Sequence, residues 1–232
     1  MPECSKCGST ETVKNGFHLG RQRHRCKKCG FQFTRSTPRG RPASEKATAV
    51  LLYTLGLSLN CIARMFKVST PAVLRWIRLF AERAYEKPEP HEAVVVELDE
   101  MWHYLRSKKN KLWIWKAYCR DTGQLIDWEC GDRDQGTLAR LMSRLGKWQI
   151  WYYFTDDWKV YPTEIPEEQL VTGKSGTVGI ERNYCRQRHW FARFKGKSIV
   201  VSKSLRMVDL TMALFARFHV NGVREDIASF FY

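Results

Sequence analysis

Residues 93–105, AVVVELDEMWHYL, decide the fold. The three valines at 94–96 are strong strand formers, and an unbroken apolar run is typical of a strand inside a sheet. The run leads into Glu97, Asp99 and Glu100, and strand alternation puts Glu97 and Asp99 on one face and Glu100 on the other. A buried carboxylate is costly unless it is paired or binds a metal ion. An acid in a strand is more often at an edge or surface, so both interpretations stay open here.

The rest of the second half has the pattern of an α/β domain. Apolar alternation and turn signals predict strands over 111–120, 125–130, 148–154 and 170–172, and helices over 137–145, 178–194 and 205–220. The fourth strand of this half ends in Asp156, and Glu181 lies one turn into the following helix. Acids at adjacent strand ends converge at one edge of a sheet, so Asp99 and Asp156 can share a divalent cation and Glu181 can complete a second metal position. Hard oxygen ligands of this kind suit Mg²⁺ or Mn²⁺.

Composition indicates a globular protein with a strongly basic front end. Its 232 residues are 44% hydrophobic and include nine Trp, enough for a real core. The net charge of +15 is uneven, because residues 1–87 carry 17 Lys and Arg against five acidic residues. Such a basic front end indicates contact with a polyanion, although a merely basic surface is the alternative. No apolar run approaches the roughly 20 residues of a membrane span and no signal-peptide pattern opens the chain, so we expect a cytoplasmic, nucleoid-associated protein.

Two Cys-x-x-Cys pairs, Cys4 with Cys7 and Cys26 with Cys29, stand 18 residues apart. This spacing predicts a structural zinc site in a small β-rich module, a zinc ribbon over residues 1–35. A redox pair is the alternative, and we expect the four remaining cysteines to be reduced. Short strands at 12–14 and 22–25 flank Asn15-Gly16, which is a hairpin turn signal. The basic residues around the second pair predict a phosphate-contacting surface: Arg21, Arg23, Arg25, Lys27 and Lys28.

A Pro/Gly/Arg linker, TRSTPRGRP at 34–42, separates this module from a helical segment. Arg39 and Arg41 resemble arms that follow a minor groove, and an ordinary solvated linker is equally compatible. Residues 43–86 then show three short helical patterns, with Ser69 or Thr70 as the N-cap of the third and Pro71 in its first turn. This pattern predicts a helix-turn-helix whose last helix presents Arg75 and Arg78 to DNA, rather than a plain packing module. EKPEPHE at 86–92 marks the next boundary.

Four stretches resemble a known family: ELDEMW, FTDDWKVY, GIERNYCRQR and the closing KGKSIVVSKSLRMVD. The first three are similar to the three acid motifs of the transposases of insertion-sequence-one elements, and the fourth is similar to the segment that follows the family's Glu. That family combines an N-terminal Cys-x-x-Cys zinc module, a helix-turn-helix and an RNase H-like Asp-Asp-Glu domain. The resemblance therefore implies a catalytic domain over 92–232 in which Asp99, Asp156 and Glu181 bind the metal. The family usually has Gly where this chain has Asp157, so Asp157 is a rival for Asp156.

The resemblance further implies a transposase that binds the terminal inverted repeats of its element. Two Mg²⁺ or Mn²⁺ ions would assist 3′-end cleavage and strand transfer into target DNA. Arg188, two turns beyond Glu181, would contact DNA near the metals, although a solvated helix face is an even alternative. The partners are double-stranded DNA, as element end and target, and further copies in a homodimer or larger assembly, with no membrane. A non-catalytic DNA-binding regulator and another RNase H-like nuclease remain alternatives.

Overall fold

The computed structural model describes residues 2–34, 40–83 and 85–222. The chain forms two compact units, Met1–Pro42 and Ala43–Tyr232. Of the two linker arginines, Arg39 lies outside the described residues and Arg41 is exposed. In the part of the chain that the structure describes, none of the helices is long and apolar enough to cross a membrane.

The first unit is an antiparallel three-stranded sheet of β1 (Thr12–His18), β2 (Arg21–Cys26) and β3 (Gln32–Phe33). The predicted hairpin turn at Asn15-Gly16 is wrong, because the turn lies at Leu19-Gly20. Gly16, with φ +68°, lies inside β1, where the register shifts between Lys14 and Phe17. An extra residue at positive φ makes a bulge and lets the strand continue, so the glycine bends the hairpin instead of ending it.

Three helices open the second unit: α1 (Ala43–Thr54), α2 (Leu59–Phe66) and α3 (Thr70–Arg83). The Ser58 hydroxyl accepts from the Cys61 amide and caps α2, and Lys67 in the left-handed region ends it. Ser69 accepts from the Ala72 amide at 3.3 Å, which starts α3 at the expected place. Only three residues separate α2 from α3.

A five-stranded mixed sheet follows, in the order β6-β5-β4-β7-β8. Its members are β4 (Glu92–Tyr104), β5 (Lys111–Cys119), β6 (Gln124–Gly131), β7 (Gln149–Thr155) and β8 (Leu170–Thr172). The pairs β4–β5 and β5–β6 are antiparallel, whereas β7 runs parallel to β4 and β8 runs parallel to β7. The predicted α/β arrangement, a mixed sheet with helices, is confirmed.

The helices of this half are α4 (Gln135–Leu145), α5 (Val178–Trp190) and α6 (Leu205–Phe215). The helix predicted over 178–194 ends at Trp190, because Phe191 adopts an extended conformation and its side chain enters the core. The helix predicted over 205–220 changes to a π-helical turn at Ala216–Val220.

The two faces of the sheet bury different helices. On one face Leu98 and Trp115 pack with Leu138 of α4. On the other, Met101 and Ile114 belong to a core that includes residues of α5 and α6 and also of α1 and α3.

The helical segment is joined to this core by specific contacts. The hydroxyls of Tyr53 and Thr211 are 3.0 Å apart, and His219 Nε2 donates to the Thr54 carbonyl at 2.8 Å. The domain boundaries 1–35, 43–86 and 92–232 stay predictions, but α1 and α3 share one core with the sheet.

Candidate active site

The acids of the opening stretch lie where β4 extends beyond its neighbour β7. The parallel ladder of these strands reaches Glu97, opposite Phe154, and β7 ends at Thr155. Antiparallel pairing with β5 continues to Tyr104, so the far half of β4 is paired along one edge and open along the other. The chain leaving β7 carries Asp156 to this open edge.

At this edge three carboxylates come together. One oxygen from each of Asp99, Glu100 and Asp156 lies within 4.8 Å of the others. Asp156 accepts from the Trp158 amide at 3.1 Å, which fixes its direction at the strand end. Asp157 is exposed and is outside this cluster. Sequence reasoning thus brought the correct pair of strand ends together but did not assign Glu100.

The surroundings of Asp99 make its ionised form unfavourable. Burial raises its pKa to about 7, with further contributions from the negative charges of Glu100, Asp156 and Glu181. The Glu100 amide donates to Asp99 Oδ1 at 2.8 Å and opposes this shift. Oxygen donors that repel one another are the donor set that a hard divalent cation would stabilise. The residues therefore fit Mg²⁺ or Mn²⁺.

Glu100 belongs to the cluster in position, but both its oxygens already have partners. Tyr161 donates its hydroxyl to Oε2 at 2.9 Å, and Arg133 donates Nε–H to Oε1 at 2.6 Å. Burial raises the pKa of Glu100. These contacts hold Glu100 in place and occupy both of its oxygens. Asp99 and Asp156 are therefore the better candidates to face a metal ion.

Glu181 lies in the first turn of α5 and is exposed. It is outside the group of carboxylates that fall within 4.8 Å of one another. Its charge nevertheless contributes to the raised pKa of Asp99, so the two side chains interact electrostatically. The structure therefore brings Asp99 and Asp156 into one cluster and places Glu181 near it.

Lys116 is a residue next to this site that sequence reasoning did not single out. It lies opposite Asp99 in the β4–β5 ladder and is fully buried. Its Nζ donates to Asn183 Oδ1 at 2.6 Å and lies 4.4 Å from the ring centroid of Tyr184. Burial lowers its pKa well below the ordinary value. Its signal in the sequence is its position on the apolar side of an alternating strand, after Leu112 and Ile114.

The cysteine cluster occupies the first unit. The Sγ atoms of Cys4 and Cys29 are 3.6 Å apart, those of Cys7 and Cys26 are 3.7 Å apart, and all four lie within 4.8 Å of one another. The amide of Cys29 contributes most to lowering the pKa of Cys26 to about 6. Thiolates in this arrangement fit a tetrahedral metal site.

The structure distributes the predicted DNA-binding residues over both units. In the first unit Arg25, Lys27 and Lys28 are exposed, whereas Arg23 is half-buried and donates to the Asn15 carbonyl at 2.9 Å.

In the second unit Arg75 is exposed on α3 and Arg188 is exposed on α5. Arg78 is half-buried, and its Nε has no hydrogen-bond partner among the described residues. The DNA contacts of these residues stay predictions.

Comparisons with known proteins agree with the sequence resemblance. A family model described as IS1 transposase matches residues 93–221. The insertion element iso-IS1n protein InsB of Shigella dysenteriae is 33% identical over 128 residues, which are 55% of this chain and 98% of that protein. The insertion element IS1 2 protein InsB of Escherichia coli K12 is 32% identical over 123 residues, covering 53% of this chain and 74% of that protein.

Two solved structures show a weak likeness. The catalytic core of BIV integrase has a TM-score of 0.40 at 15% identity, covering 57% of this chain and 86% of that one. A simian T-cell lymphotropic virus intasome in complex with PP2A regulatory subunit B56 gamma has a TM-score of 0.39 at 13% identity, covering 78% of this chain and 71% of that one. The family match is much stronger, since it spans more than half of the chain and includes the strand, the strand end and the helix that carry Asp99, Asp156 and Glu181. The protein belongs to the IS1 transposase family.

Proposed function

We propose that this protein is a DNA transposase that cleaves the 3′ ends of an insertion sequence and transfers them into target DNA. One observation supports this proposal above the others, the convergence of Asp99 and Asp156 at the open edge of β4. Members of a family that acts on phosphodiester bonds through divalent cations need carboxylates such as these to bind the ions.

Asp99 and Asp156 would hold one cation between them, and Glu181 would complete a second position from α5. Bound cations supply activation of the attacking oxygen and stabilisation of the leaving oxygen. The protein's own groups contribute positioning. The Trp158 amide orients Asp156, and the Glu100 amide orients Asp99.

The protonation state of Asp99 fits this role. With a pKa of about 7 in the metal-free site, Asp99 is partly protonated near neutral pH. It can exchange that proton for a cation at little electrostatic cost, since the neighbouring carboxylates disfavour the bare anion. The RNase H-like assignment of this domain, which the resemblance to the family implies, is part of the proposal.

The zinc-ribbon residues and the α2–α3 pair would bind the DNA on which this site acts. The four cysteines would bind structural Zn²⁺, and exposed Arg25, Lys27 and Lys28 would contact phosphates of the terminal inverted repeat. The α2–α3 pair has the short turn of a helix-turn-helix, with Arg75 exposed on its second helix. Joining two element ends to one target requires at least two active sites, so a homodimer or larger assembly on DNA is part of the proposal.

The proposal is tested with Mg²⁺ and a labelled duplex that carries the element's own end. We expect a 3′-OH nick at the end and then joined products. Asp99→Ala, Asp156→Ala and Glu181→Ala should abolish both, and the matched control Asp157→Ala, one residue away and exposed, should retain activity.

Three outcomes would contradict the proposal. Absence of nicked and joined products with the wild-type protein excludes transposase chemistry on this substrate. Cleavage of branched duplexes in preference to element ends would support a different nuclease. Full biological function in the triple alanine variant would support a non-catalytic DNA-binding regulator.

A further inference from the structure

Glu97 is buried on β4, two residues before Asp99 and on the same face of the strand. Its Oε2 accepts a hydrogen bond from the Ile180 amide at 2.7 Å. This amide belongs to the first turn of α5, where backbone N–H groups lack partners within the helix. A carboxylate is favourable there because the helix N-terminus carries partial positive charge. Glu97 thus caps the helix one residue before Glu181.

Glycines let the start of α5 lie directly against the strands. A Cβ atom at Gly179 would come 2.9 Å from both carboxylate oxygens of Glu97 and 2.7 Å from the ring of Tyr118. A Cβ atom at Gly176 would clash with the ring of Phe154 in β7. A side chain at either position would force the start of the helix or the contacting side chains to move.

Arg120, just after β5, connects Glu97 of β4 to the segment that leads into α5. Its Nε donates to Glu97 Oε1 at 2.8 Å, and its Nη2 donates to the Gly176 carbonyl. Its guanidinium group also lies 4.4 Å from the ring centroid of Phe154, two residues before Asp156. The Glu97–Arg120 pair therefore contacts β4, β7 and the start of α5, the three elements that lead to the candidate metal ligands.

Glu100 makes the corresponding contacts on the opposite face. Its carboxylate accepts from Tyr161 and Arg133, and the Arg133 guanidinium lies 4.3 Å from the ring centroid of Trp158. Trp158 and Tyr161 belong to the segment that follows Asp156, and the Trp158 amide binds the Asp156 carboxylate. Glu100 thus holds the segment that orients Asp156.

We propose that Glu97 and Glu100 are positioning residues, each fixing one of the segments that carry the other two ligands. Glu97 places the start of α5 and hence Glu181, while Glu100 places the segment after β7 and hence Asp156. Asp99, between them on the same strand, is left to face the cation. This inference rests on the proposed metal-binding role of Asp99, Asp156 and Glu181. It assigns separate tasks to three acids within four residues.

The test is a calorimetric Mn²⁺ titration of the full chain in three backgrounds, wild type, Glu181→Ala and Asp156→Ala, which form two thermodynamic cycles. Glu97→Gln keeps the side-chain shape but removes the charge that caps α5 and pairs with Arg120. We expect it to weaken Mn²⁺ binding about 10- to 100-fold in the wild type, the range for residues that orient metal ligands. In the Glu181→Ala background it should change affinity less than twofold, because the ligand it positions is absent.

Glu100→Gln should behave in the same way toward Asp156→Ala. The matched control is Glu129→Gln, a mostly buried glutamate on β6 that pairs with Arg140 and Arg144, away from these segments. It should leave Mn²⁺ affinity unchanged. Equal losses in the wild-type and ligand-deleted backgrounds, or an equal loss for Glu129→Gln, would overturn the proposal.

A second variant guards against a folding defect in Glu97→Gln. Gly179→Ala favours the helix by propensity but places a methyl group against Glu97, so it should displace Glu181 and weaken Mn²⁺ binding in the wild type only. Wild-type affinity in Gly179→Ala would contradict the positioning role. If Asp99→Ala and Glu181→Ala themselves bind Mn²⁺ like the wild type, the proposed function fails, and Glu97 and Glu100 then serve only the fold.

Discussion

In the unit formed by Met1–Pro42, two of the four candidate metal ligands, Cys4 and Cys26, form a buried apolar cluster with Phe33. In the unit formed by Ala43–Tyr232, the candidate ligands lie at the open edge of a sheet whose two faces are covered by extensive apolar clusters. We therefore expect the first unit to require the proposed zinc ion for folding, whereas the second unit has apolar cores of its own and keeps its carboxylates together at an electrostatic cost. Replacing a candidate ligand should therefore destabilise the first unit and stabilise the metal-free second unit.

The largest effect is expected in the first unit. Chelation, or Cys26→Ser, should unfold β1 and β2, because structural zinc contributes on the order of 10 kcal/mol to modules of this size. Hydrogen exchange of the amides in Thr12–His18 and Arg21–Cys26 measures the loss, alongside zinc content. Cys61→Ser, an exposed cysteine of α2, is the matched control. If the β1 amides stay protected from hydrogen exchange after chelation, the first unit does not need a metal to fold and does not differ from the second unit in this respect.

The second unit should respond in the opposite direction to loss of a ligand. The pKa of Asp99 is raised to about 7 in the folded state, so its contribution to stability is lost as pH rises from about 4 through 7. Asp99→Asn avoids this loss and should stabilise the metal-free protein at pH 8 by roughly 2–4 kcal/mol.

Denaturant unfolding in the presence of chelator, at pH 4, 6 and 8, measures the difference. It should be small at pH 4 and grow until about pH 7. Asp157→Asn, which removes an exposed charge next to the cluster, should show no such pH dependence. If the unfolding free energies of wild type and Asp99→Asn coincide at all three pH values, burial and the neighbouring acids do not destabilise the Asp99 carboxylate.

A smaller effect concerns metal affinity. Because Asp99 must release its proton to bind a cation, Mn²⁺ affinity should fall about tenfold between pH 8 and pH 6. Calorimetry in buffers of different ionisation enthalpy counts the proton released at pH 6. Equal affinities at the two pH values, with no proton release, would show that Asp99 is already ionised in the metal-free site.

The smallest effect tests whether the second unit is one cooperative body. Tyr53→Phe removes the hydroxyl contact between α1 and Thr211 of α6 and should cost about 1 kcal/mol. Hydrogen exchange should show the same loss of stability in α3 and in β5, because they share a core. Tyr152→Phe, at an exposed position, is the control. Destabilisation confined to residues 43–83 would mean that the helices form a domain of their own.

The sequence predicted most of the second unit because its periodicities are strong. Alternation in β4 and β5 assigned Leu98 and Met101 to opposite faces, and the motifs that contain Asp99 and Asp156 predicted two residues that the structure brings together. The predicted family is confirmed by the match over residues 93–221. The proximity of Asp99 to Asp156 was predicted from the convergence of acids at adjacent strand ends, whereas in the structure Asp99 lies inside β4 at the point where its neighbour β7 ends.

What could not be predicted depends on contacts between distant segments. The roles of Glu97 and Glu100 are set by Ile180 and Tyr161, which are 83 and 61 residues away. The burial of Lys116 depends on Asn183 of α5. In the first unit, Asn15-Gly16 carried a correct local signal for positive φ, but a bulge uses that signal as well as a turn does.

The shared core of α3 and the sheet has a consequence for the DNA substrate. If α3 binds the terminal repeat, the packed core fixes the distance between α3 and Asp99. That distance then determines how far along the duplex the reacting bond lies from the recognised sequence. The number of base pairs between the recognised sequence and the reacting bond is then a property of the protein. Inserting about five base pairs, half a helical turn, would rotate the bond away from the carboxylates even though every base contact is kept.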